Sequence, residues 1–203
     1  MKVVVLTGPE SSGKSWLTQV LSERFGGMRV DEYVREYCER HGTDTTLADV
    51  ELIAREQVHR EDQARAAAPP LLLLDTHLLS NLLWSRLLFG TAPAWLEPAL
   101  LARRYDLHLL LDPRDVAWQD DGQRCQPELT ERLAFFAHCR DWLQAHGQPL
   151  LEIAGDWPER QRAALAELSR YLHAACPAGR MTSYTGERHA RRQGTFRRLQ
   201  PRG

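Results

Sequence analysis

The residues that could do chemistry begin with a glycine-rich segment, Gly8–Ser15, whose sequence GPESSGKS fits the pattern G-x-x-x-x-G-K-[ST] without a mismatch. It directly follows a β-branched run, Lys2–Thr7, and opens a segment with helical spacing. Glycines let such a loop wrap around a phosphate, and the N–H groups at the start of the next helix favour an anion. The segment therefore predicts a nucleoside triphosphate site, with ATP as the expected nucleotide. The residues predicted to contact it here are Gly8, Glu10, Ser11, Ser12, Gly13, Lys14 and Ser15.

The lysine of this motif is informative because lysine is rare in the chain. Of the 26 basic residues only two, Lys2 and Lys14, are lysines. In this motif the lysine side chain reaches the β- and γ-phosphates, and the following hydroxyl ligates Mg²⁺. We therefore predict that Lys14 is catalytic and that Ser15 is a magnesium ligand.

A triphosphate with Mg²⁺ also needs a carboxylate from a neighbouring strand. The run Leu71–Leu74 has the length and composition of a buried strand, and Asp75 follows it directly. Ligands of open α/β sheets bind at the carboxyl ends of the strands. Asp75 is therefore predicted to be a second metal ligand, although the same position also suits a carboxylate that caps the next helix.

A third group of charged residues follows the predicted second strand. Asp31 and Glu32 could orient and deprotonate a primary hydroxyl, and Arg35 could hold the substrate or the transferring phosphate. We favour Glu32 as the base because it precedes Arg35 by three residues, which places both on one face of the first helical turn. Asp31 is then a substrate contact. A salt-bridged helix start is the alternative interpretation.

The segment Trp118–Arg124, with the sequence WQDDGQR, follows the predicted fourth strand, where kinases carry a mobile lid. Gly122 would permit a hinge motion, and Arg124 could contact the β- and γ-phosphates when the lid closes. Trp118 and Asp121 are predicted to contact the substrate. An ordinary Asp-Gly turn would give the same local sequence.

The elements that must position these residues alternate between strand and helix. Strands are predicted at Lys2–Thr7, Met28–Val30, Leu71–Asp75, Leu107–Leu111 and Pro149–Ile153. Helices are predicted at Lys14–Phe25, around Val34 and Tyr37, and at Thr46–Ala67, Leu78–Phe89, Pro93–Arg103, Glu128–His146 and Pro158–His173. Short, continuously apolar strands between helices indicate a parallel sheet covered on both faces. We predict one α/β domain over residues 1–173, with the P-loop NTPase fold of nucleoside and nucleotide kinases and a five-stranded parallel sheet.

Composition and charge exclude several classes of protein. With 43% hydrophobic residues the chain can form a full core. No apolar stretch has the roughly 18 residues of a membrane span, so a cytoplasmic protein without membrane contact is expected. Residues 174–203 hold seven arginines and one glutamate, a local charge of +6, which leaves −7 on residues 1–173. We predict a disordered basic tail and an acidic body, which argues against nucleic acid as the main partner.

Five motifs together resemble the NadR-type nicotinamide riboside kinase domain, a P-loop kinase of the AAA-like ATPase group, through nearly all of residues 1–172. They are GPESSGKS at 8–15, EYVRE at 32–36, LLLLDT at 71–76, WSRLLFG at 84–90 and WQDDGQR at 118–124. The resemblance implies phosphorylation of the 5′-hydroxyl of a small nucleoside, nicotinamide riboside, with ATP and Mg²⁺ as cofactors. The product would be nicotinamide mononucleotide, in NAD salvage.

Two departures from that family pattern bear on the site. Family members often read D-T-D where this chain has Asp75-Thr76-His77, so a second carboxylate is replaced by His77. The multifunctional relatives also carry an H-x-G-H motif for adenylyl transfer, which the sequence does not contain. We therefore expect kinase activity alone.

The substrate that the resemblance implies has a flat, cationic ring, which an aromatic face would suit. Tyr33, next to the predicted base, is the favoured platform, with Trp118 and Trp84 as the other candidates. Trp84 has helical spacing with Leu87 and Leu88, which indicates core packing instead. The adenine is expected at the turn 154–160, with Trp157 and Arg160 as contacts.

Two alternative functions stay open at this point. A protein with the same fold could phosphorylate another nucleoside or a nucleotide. It could also serve as a nucleotide-binding regulatory module with little turnover. A switch GTPase is disfavoured because the chain has no N-K-x-D sequence for guanine. The presence of both a candidate base and a lid arginine favours turnover.

Overall fold

The chain was analysed as a computed structural model, which describes residues 1–174; the predicted basic tail, apart from its first residue, lies outside the described residues. Strands and helices alternate in the order that the sequence predicts. The strands are β1 (Lys2–Thr7), β2 (Met28–Val30), β3 (Leu71–Asp75), β4 (Leu107–Leu111) and β5 (Leu150–Ile153). The helices are α1 (Lys14–Phe25), α2 (Tyr33–His41), α3 (Leu47–Ala66), α4 (Leu78–Phe89), α5 (Leu96–Leu101), α6 (Leu129–Ala145) and α7 (Trp157–Ala174).

The five strands form one parallel sheet in the order β2-β3-β1-β4-β5. In the register of the two central strands Leu6 lies beside Asp75, and Thr7 lies beside Leu110 of β4. The carboxyl ends of β1 and β3 therefore lie next to each other. The predicted fold class, a P-loop kinase-like α/β fold with a five-stranded parallel sheet, is confirmed.

Side-chain alternation along the strands supplies a core on each face of the sheet. Val3 and Val5 of β1 pack with Leu72 and Leu74 of β3 under helices α3 to α5. Their neighbours in the strands, such as Val4, face the other side and pack against α1 and α7. Because both faces are covered, every residue of β3 is buried, which explains why its sequence is a continuous apolar run.

The connections between the strands create a crevice at one edge of the sheet. The chain leaves β1 towards β2 on one side, and it leaves β3 towards β4 on the other side of β1. Adjacent strands whose connections diverge in this way leave an opening at their carboxyl ends, where ligands of doubly wound sheets bind. The glycine-rich segment follows β1 and Asp75 ends β3, so both lie at this opening.

Helix α5 is shorter than predicted, and α3 begins close to its predicted start. The helix predicted over Pro93–Arg103 is limited to the six residues of α5. Helix α3 begins after Thr46, whose side chain forms a capping box with Asp49, so the chemistry of the cap fixes this start. Within residues 1–174, no helix combines the length and the apolar character needed to cross a membrane.

Candidate active site

A cavity of about 170 Å³ opens at the carboxyl edge of the sheet. Its walls come from the glycine-rich segment, the start of α2, helices α3 and α4, and the segment between β4 and α6. Representative lining residues are Glu10, Lys14, Glu32, Arg35, Trp84 and Arg124. Thr76 also lines it, so the structure brings residues of all five predicted motifs to one space.

The glycine-rich segment wraps closely around its own lysine. The Lys14 side chain is buried, and its Nζ donates to the carbonyls of Gly8 (3.2 Å) and Pro9 (2.9 Å). Gly13 has φ 88°, and a Cβ at this position would lie 2.5 Å from a ring atom of Trp157. Only glycine fits such a conformation and such a close approach. The loop thus holds an ammonium group at the positive end of α1, where the backbone N–H groups also favour an anion.

Arg160 supports this loop from behind. Its guanidinium donates to the carbonyls of Gly155 (2.6 Å), Ser12 (3.0 Å) and Asp112 (2.5 Å), and the residue is fully buried. The prediction of a direct nucleotide contact by Arg160 therefore needs correction, because the side chain is fully buried and bonds to three backbone carbonyls. Trp157 is 40% exposed beside the loop, so it remains available to a ligand.

Asp75 and Ser15 have the chemistry of a magnesium site. Asp75 is 2% exposed, and its Oδ1 finds no hydrogen-bond partner among residues 1–174. The Ser15 hydroxyl is close enough to counter part of the rise that burial causes in the pKa of Asp75. Residues 1–174 hold no group of three or more His, Cys, Asp or Glu side chains that could bind a metal. Mg²⁺ is usually bound through one or two protein oxygens and takes its remaining ligands from phosphates and water, which the oxygens of Asp75 and Ser15 would fit.

The two carboxylates after β2 differ sharply in their environment. The Asp31 side chain is 70% exposed and pairs with Arg29 at 3.8 Å. The Glu32 side chain is 14% exposed, lines the cavity and lies 3.6 Å from the Arg35 guanidinium. The i,i+3 spacing thus brings Glu32 and Arg35 together, whereas Asp31 faces away from the cavity wall.

The buried position of Glu32 changes the pKa of its carboxyl group. Burial raises its pKa above the ordinary value, the charge of Lys14 opposes the rise, and the neighbouring carboxylate of Asp75 adds to it. The charges of Arg35 and Arg124 also oppose the rise in the pKa of Glu32. A carboxylate with a raised pKa is a stronger base, and cations beside it can hold a phosphate group.

The segment between β4 and α6, residues 112–128, lies over the glycine-rich loop and is called the lid below. Glu10 accepts hydrogen bonds from Trp118 Nε1 (2.8 Å) and from the backbone N–H groups of Cys125 (3.1 Å) and Gln126 (2.6 Å). Trp118 therefore joins the lid to the loop and does not line the cavity. In this arrangement the Glu10 carboxylate serves the lid, which leaves only its backbone N–H for a phosphate.

Ser11 forms the second connection between the loop and the lid. Its Oγ accepts from Arg124 Nη1 at 2.8 Å and from the Gln119 N–H at 3.2 Å. Ser11 has φ 55°, in the left-handed region that non-glycine residues rarely adopt. Strained backbone of this kind often occurs at functional sites, and here it directs the hydroxyl to the lid arginine.

Asp121 joins the two arginines of the site. It accepts from Arg35 Nη1 at 2.9 Å and lies 3.0 Å from Arg124 Nε. Arg35 and Arg124 therefore meet at Asp121, and both line the cavity. Asp121 contacts these arginines and is not part of the cavity wall.

The aromatic residues are arranged differently from the prediction. Tyr33 lies outside the cavity, with the Arg60 guanidinium 4.4 Å from its ring centroid. Trp84 lines the cavity, and its other side packs against Phe135, with ring centroids 5.0 Å apart. Trp84 therefore combines the predicted core packing with the platform position that the sequence favoured for Tyr33.

His77 does not replace a carboxylate at the site. It is fully buried, and its Nε2 lies 3.2 Å from Nε2 of His108 in β4. The ring also contacts Tyr105, edge to face, at 4.6 Å between centroids. The residue that departs from the family pattern thus belongs to the core beneath the sheet edge.

Helix α3 supplies a cavity wall that the sequence did not indicate. Val50, Ile53 and Gln57 line the cavity from one face of this helix. Their spacing of three and four residues is that of an apolar helix face. A glutamine on such a face is the one sequence signal that could have identified the wall.

A profile of the AAA domain family matches residues 3–160. The chain belongs to the AAA domain family. This membership agrees with the loop, the strand carboxylate and the parallel sheet described above. Family membership does not by itself define a substrate.

Two curated proteins are similar to this chain in sequence. The trifunctional NAD biosynthesis/regulator protein NadR of Salmonella typhimurium is 28% identical over 139 residues, which are 66% of this chain and 34% of that protein. NadR of Escherichia coli is 27% identical over 139 residues, which again are 66% of this chain and 34% of that protein. The chain spans about a third of the length of these relatives. The resemblance to the NadR-type kinase domain is confirmed.

Solved structures share the fold. A crystal structure of NadR protein in complex with NR matches this chain with a TM-score of 0.70 and 22% sequence identity. The match covers 89% of this chain and 54% of the NadR chain in that structure. The deoxyadenosine kinase of M. mycoides with products bound has a TM-score of 0.57 and 10% identity, over 83% of this chain and 99% of its own. These likenesses show a nucleoside-kinase-like fold.

Proposed function

We propose that this protein is an ATP-dependent kinase that phosphorylates the 5′-hydroxyl of nicotinamide riboside. The observation that carries the proposal is the convergence of Lys14, Glu32, Arg35 and Arg124 on one cavity beside Asp75. A partly buried carboxylate among three cations is what phosphoryl transfer to a hydroxyl requires. A site that only bound nucleotide would not need this carboxylate.

In the proposed transfer these groups have separate roles. Glu32 takes the proton of the 5′-hydroxyl as the sugar oxygen bonds to the γ-phosphorus of ATP, and the bond from that phosphorus to the β–γ bridging oxygen breaks. Lys14, Arg35 and Arg124 stabilise the charge on the oxygens of the phosphoryl group. The products are a nucleoside monophosphate and ADP, with the proton on Glu32 until water removes it.

Ser15 and Asp75 are the residues that would hold Mg²⁺ in this site. The ion supplies charge neutralisation at the β- and γ-phosphates when it is bound. The unpartnered Oδ1 of Asp75 supports this assignment. The loop amides would bind the phosphates, and the exposed ring of Trp157 is the candidate contact for adenine.

The proposed substrate rests on the relatives and on one aromatic side chain. The curated relatives are NAD biosynthesis proteins, and one solved relative is a complex with NR. In this chain Trp84 presents a ring to the cavity, which suits a flat cationic heterocycle. Nicotinamide riboside carries such a ring on a ribose with a primary hydroxyl. A cytoplasmic location and the absence of nucleic-acid partners stay predictions.

A nucleoside panel tests the proposal. ADP formation is measured with ATP and Mg²⁺ in the presence of nicotinamide riboside, adenosine, deoxyadenosine or uridine. We expect the highest kcat/KM with nicotinamide riboside. A higher value with another nucleoside would mean a different acceptor on the same frame, and ATP binding without turnover on any of them would mean a regulatory module.

A further inference from the structure

Gln57 is a buried polar residue in the wall of the cavity. It lies in the middle of α3 and is 3% exposed. Its Oε1 accepts a hydrogen bond from the Tyr33 N–H at 2.8 Å, and its Nε2 donates to the Asp31 carbonyl at 3.4 Å. A single side chain therefore bonds to the backbone on both sides of Glu32.

The first backbone N–H groups of α2 need partners from outside the helix. Glu32 occupies the N-cap position with φ −69° and ψ 115°, and its side chain makes no capping hydrogen bond within the described chain. The first N–H groups of a helix have no partner inside the helix, and the N-cap side chain usually accepts one of them. Here Gln57 accepts the N–H of Tyr33, the first residue of α2, whereas an N-cap side chain accepts from the second or third residue. The Glu32 carboxylate faces the cavity.

The chemistry of glutamine suits this position. The two backbone groups need one acceptor and one donor, and a neutral amide has both. A hydrocarbon in its place would leave a buried N–H without a partner, which is costly. A second carboxylate would repel the one on Glu32. Gln57 also comes from α3, an element separate from α2, so it fixes the junction relative to the rest of the cavity wall.

We propose that Gln57 is the positioning residue for Glu32. By bonding from α3 to the backbone on both sides of Glu32, it holds the Glu32 carboxylate at the reacting hydroxyl. This inference rests on the proposed function, because it needs Glu32 to act as the base. Displacement of a catalytic group by about 1 Å can lower a rate by about 10²-fold. Gln57 would therefore affect kcat and leave the binding of ATP unchanged.

A double-mutant cycle tests this inference. Gln57→Leu, which removes both hydrogen bonds at similar size, is made in the wild type and in Glu32→Gln. We expect kcat to fall about 10²-fold in the first background and by less than about threefold in the second, with the KM for ATP unchanged in both. Gln63→Leu on the exposed face of the same helix is the matched control and should leave kcat unchanged. Equal losses in both backgrounds would overturn the inference.

A second variant covers the case in which Gln57→Leu does not fold. Gln57→Glu keeps the acceptor for the Tyr33 N–H and adds a carboxylate beside Glu32. We expect a smaller loss of kcat and an acidic limb of the pH–rate profile that moves to higher pH, because a like charge raises the pKa of Glu32. An unchanged profile would overturn the inference. A wild type without activity on nicotinamide riboside would instead overturn the proposed function and the base role of Glu32 with it.

Discussion

Two neighbouring carboxylates at the start of α2 differ in a way that decides which of them can do chemistry. Asp31 lies at the surface beside Arg29, whereas Glu32 lies in the cavity beside Arg35. Burial raises the pKa of Glu32, and the cations around it limit this rise. At the residue scale the proposed base is therefore defined by its surroundings and not by its residue type.

The acidity of Glu32 predicts a pH dependence. A base acts in its deprotonated form, so kcat should fall as the pH is lowered through the raised pKa of Glu32, above the usual value of 4.5 for this side chain. Glu32→Gln should lower kcat by about 10²–10⁴-fold and remove this acidic limb. Asp31→Asn, the matched control, should keep both the rate and the limb. The opposite pattern in pH–rate profiles of the two variants would identify Asp31 as the base.

Sequence spacing predicted some residues of the site and not others. The i,i+3 relation of Glu32 and Arg35 is a local property of a helical turn, so it could be predicted. Tyr33, Trp118 and Arg160 turn to partners that are remote in sequence: a guanidinium of α3, the Glu10 carboxylate and three backbone carbonyls. Such directions depend on tertiary packing, which no local pattern contains.

At the scale of elements, the lid and the glycine-rich loop behave as one unit. Glu10 accepts three hydrogen bonds from the lid, and Ser11 binds the lid arginine. The loop that would hold the phosphates thus also holds Arg124 over them. The position of the lid is therefore linked to the side chains of the loop.

Removal of the Glu10 carboxylate should loosen the lid. In Glu10→Ala the backbone N–H groups of Cys125 and Gln126 lose their acceptor, so their hydrogen exchange should become faster. We expect kcat to fall because Arg124 is less often in place. Glu23→Ala, in an exposed part of α1, is the control and should change neither quantity. Unchanged exchange in the lid of Glu10→Ala would show that other contacts hold it closed.

The sheet and most helices could be predicted because their signals are local. Continuous apolar runs such as Leu71–Leu74 are typical of strands buried on both faces, and the structure buries them. The cavity wall on α3 could not be predicted in the same way. The contact of Gln57 with the start of α2 forms only when α3 lies beside α2, which is a property of the folded chain.

At the scale of the whole molecule, a buried polar cluster joins β4 and the start of α4 to α3. His77 and His108 contact each other, and Tyr105 donates to Glu61 of α3 at 3.2 Å. The Nδ1 of His108 faces the Pro149 carbonyl at 3.1 Å, so it carries the proton and donates. Burial lowers the pKa of both His77 and His108, which favours their neutral forms in the core.

This cluster predicts a loss of stability in acid. Burial lowers the pKa of His108 to about 4, whereas the unfolded chain has the ordinary value of 6.5. Between these values the unfolded state binds the extra proton, so the free energy of unfolding should fall as the pH drops from about 7 to about 4. The contribution of His108 to this fall is about 3 kcal/mol.

Urea unfolding of His108→Gln should show a weaker pH dependence over this range than the wild type. His138→Gln, at an exposed position on α6, should keep the full dependence. If His108→Gln loses stability in acid as steeply as the wild type, other groups are responsible for the acid sensitivity.

Formation of nicotinamide mononucleotide from nicotinamide riboside and ATP tests most directly whether the cavity transfers phosphate. Mass spectrometry of the product, with the wild type and Lys14→Ala side by side, measures it. We expect the wild type to form the mononucleotide and the folded variant to be slower by about 10³–10⁵-fold, because Lys14 stabilises charge on the transferring phosphate. A wild type that forms no mononucleotide, or a Lys14→Ala variant that forms it at the wild-type rate, would contradict the proposed function.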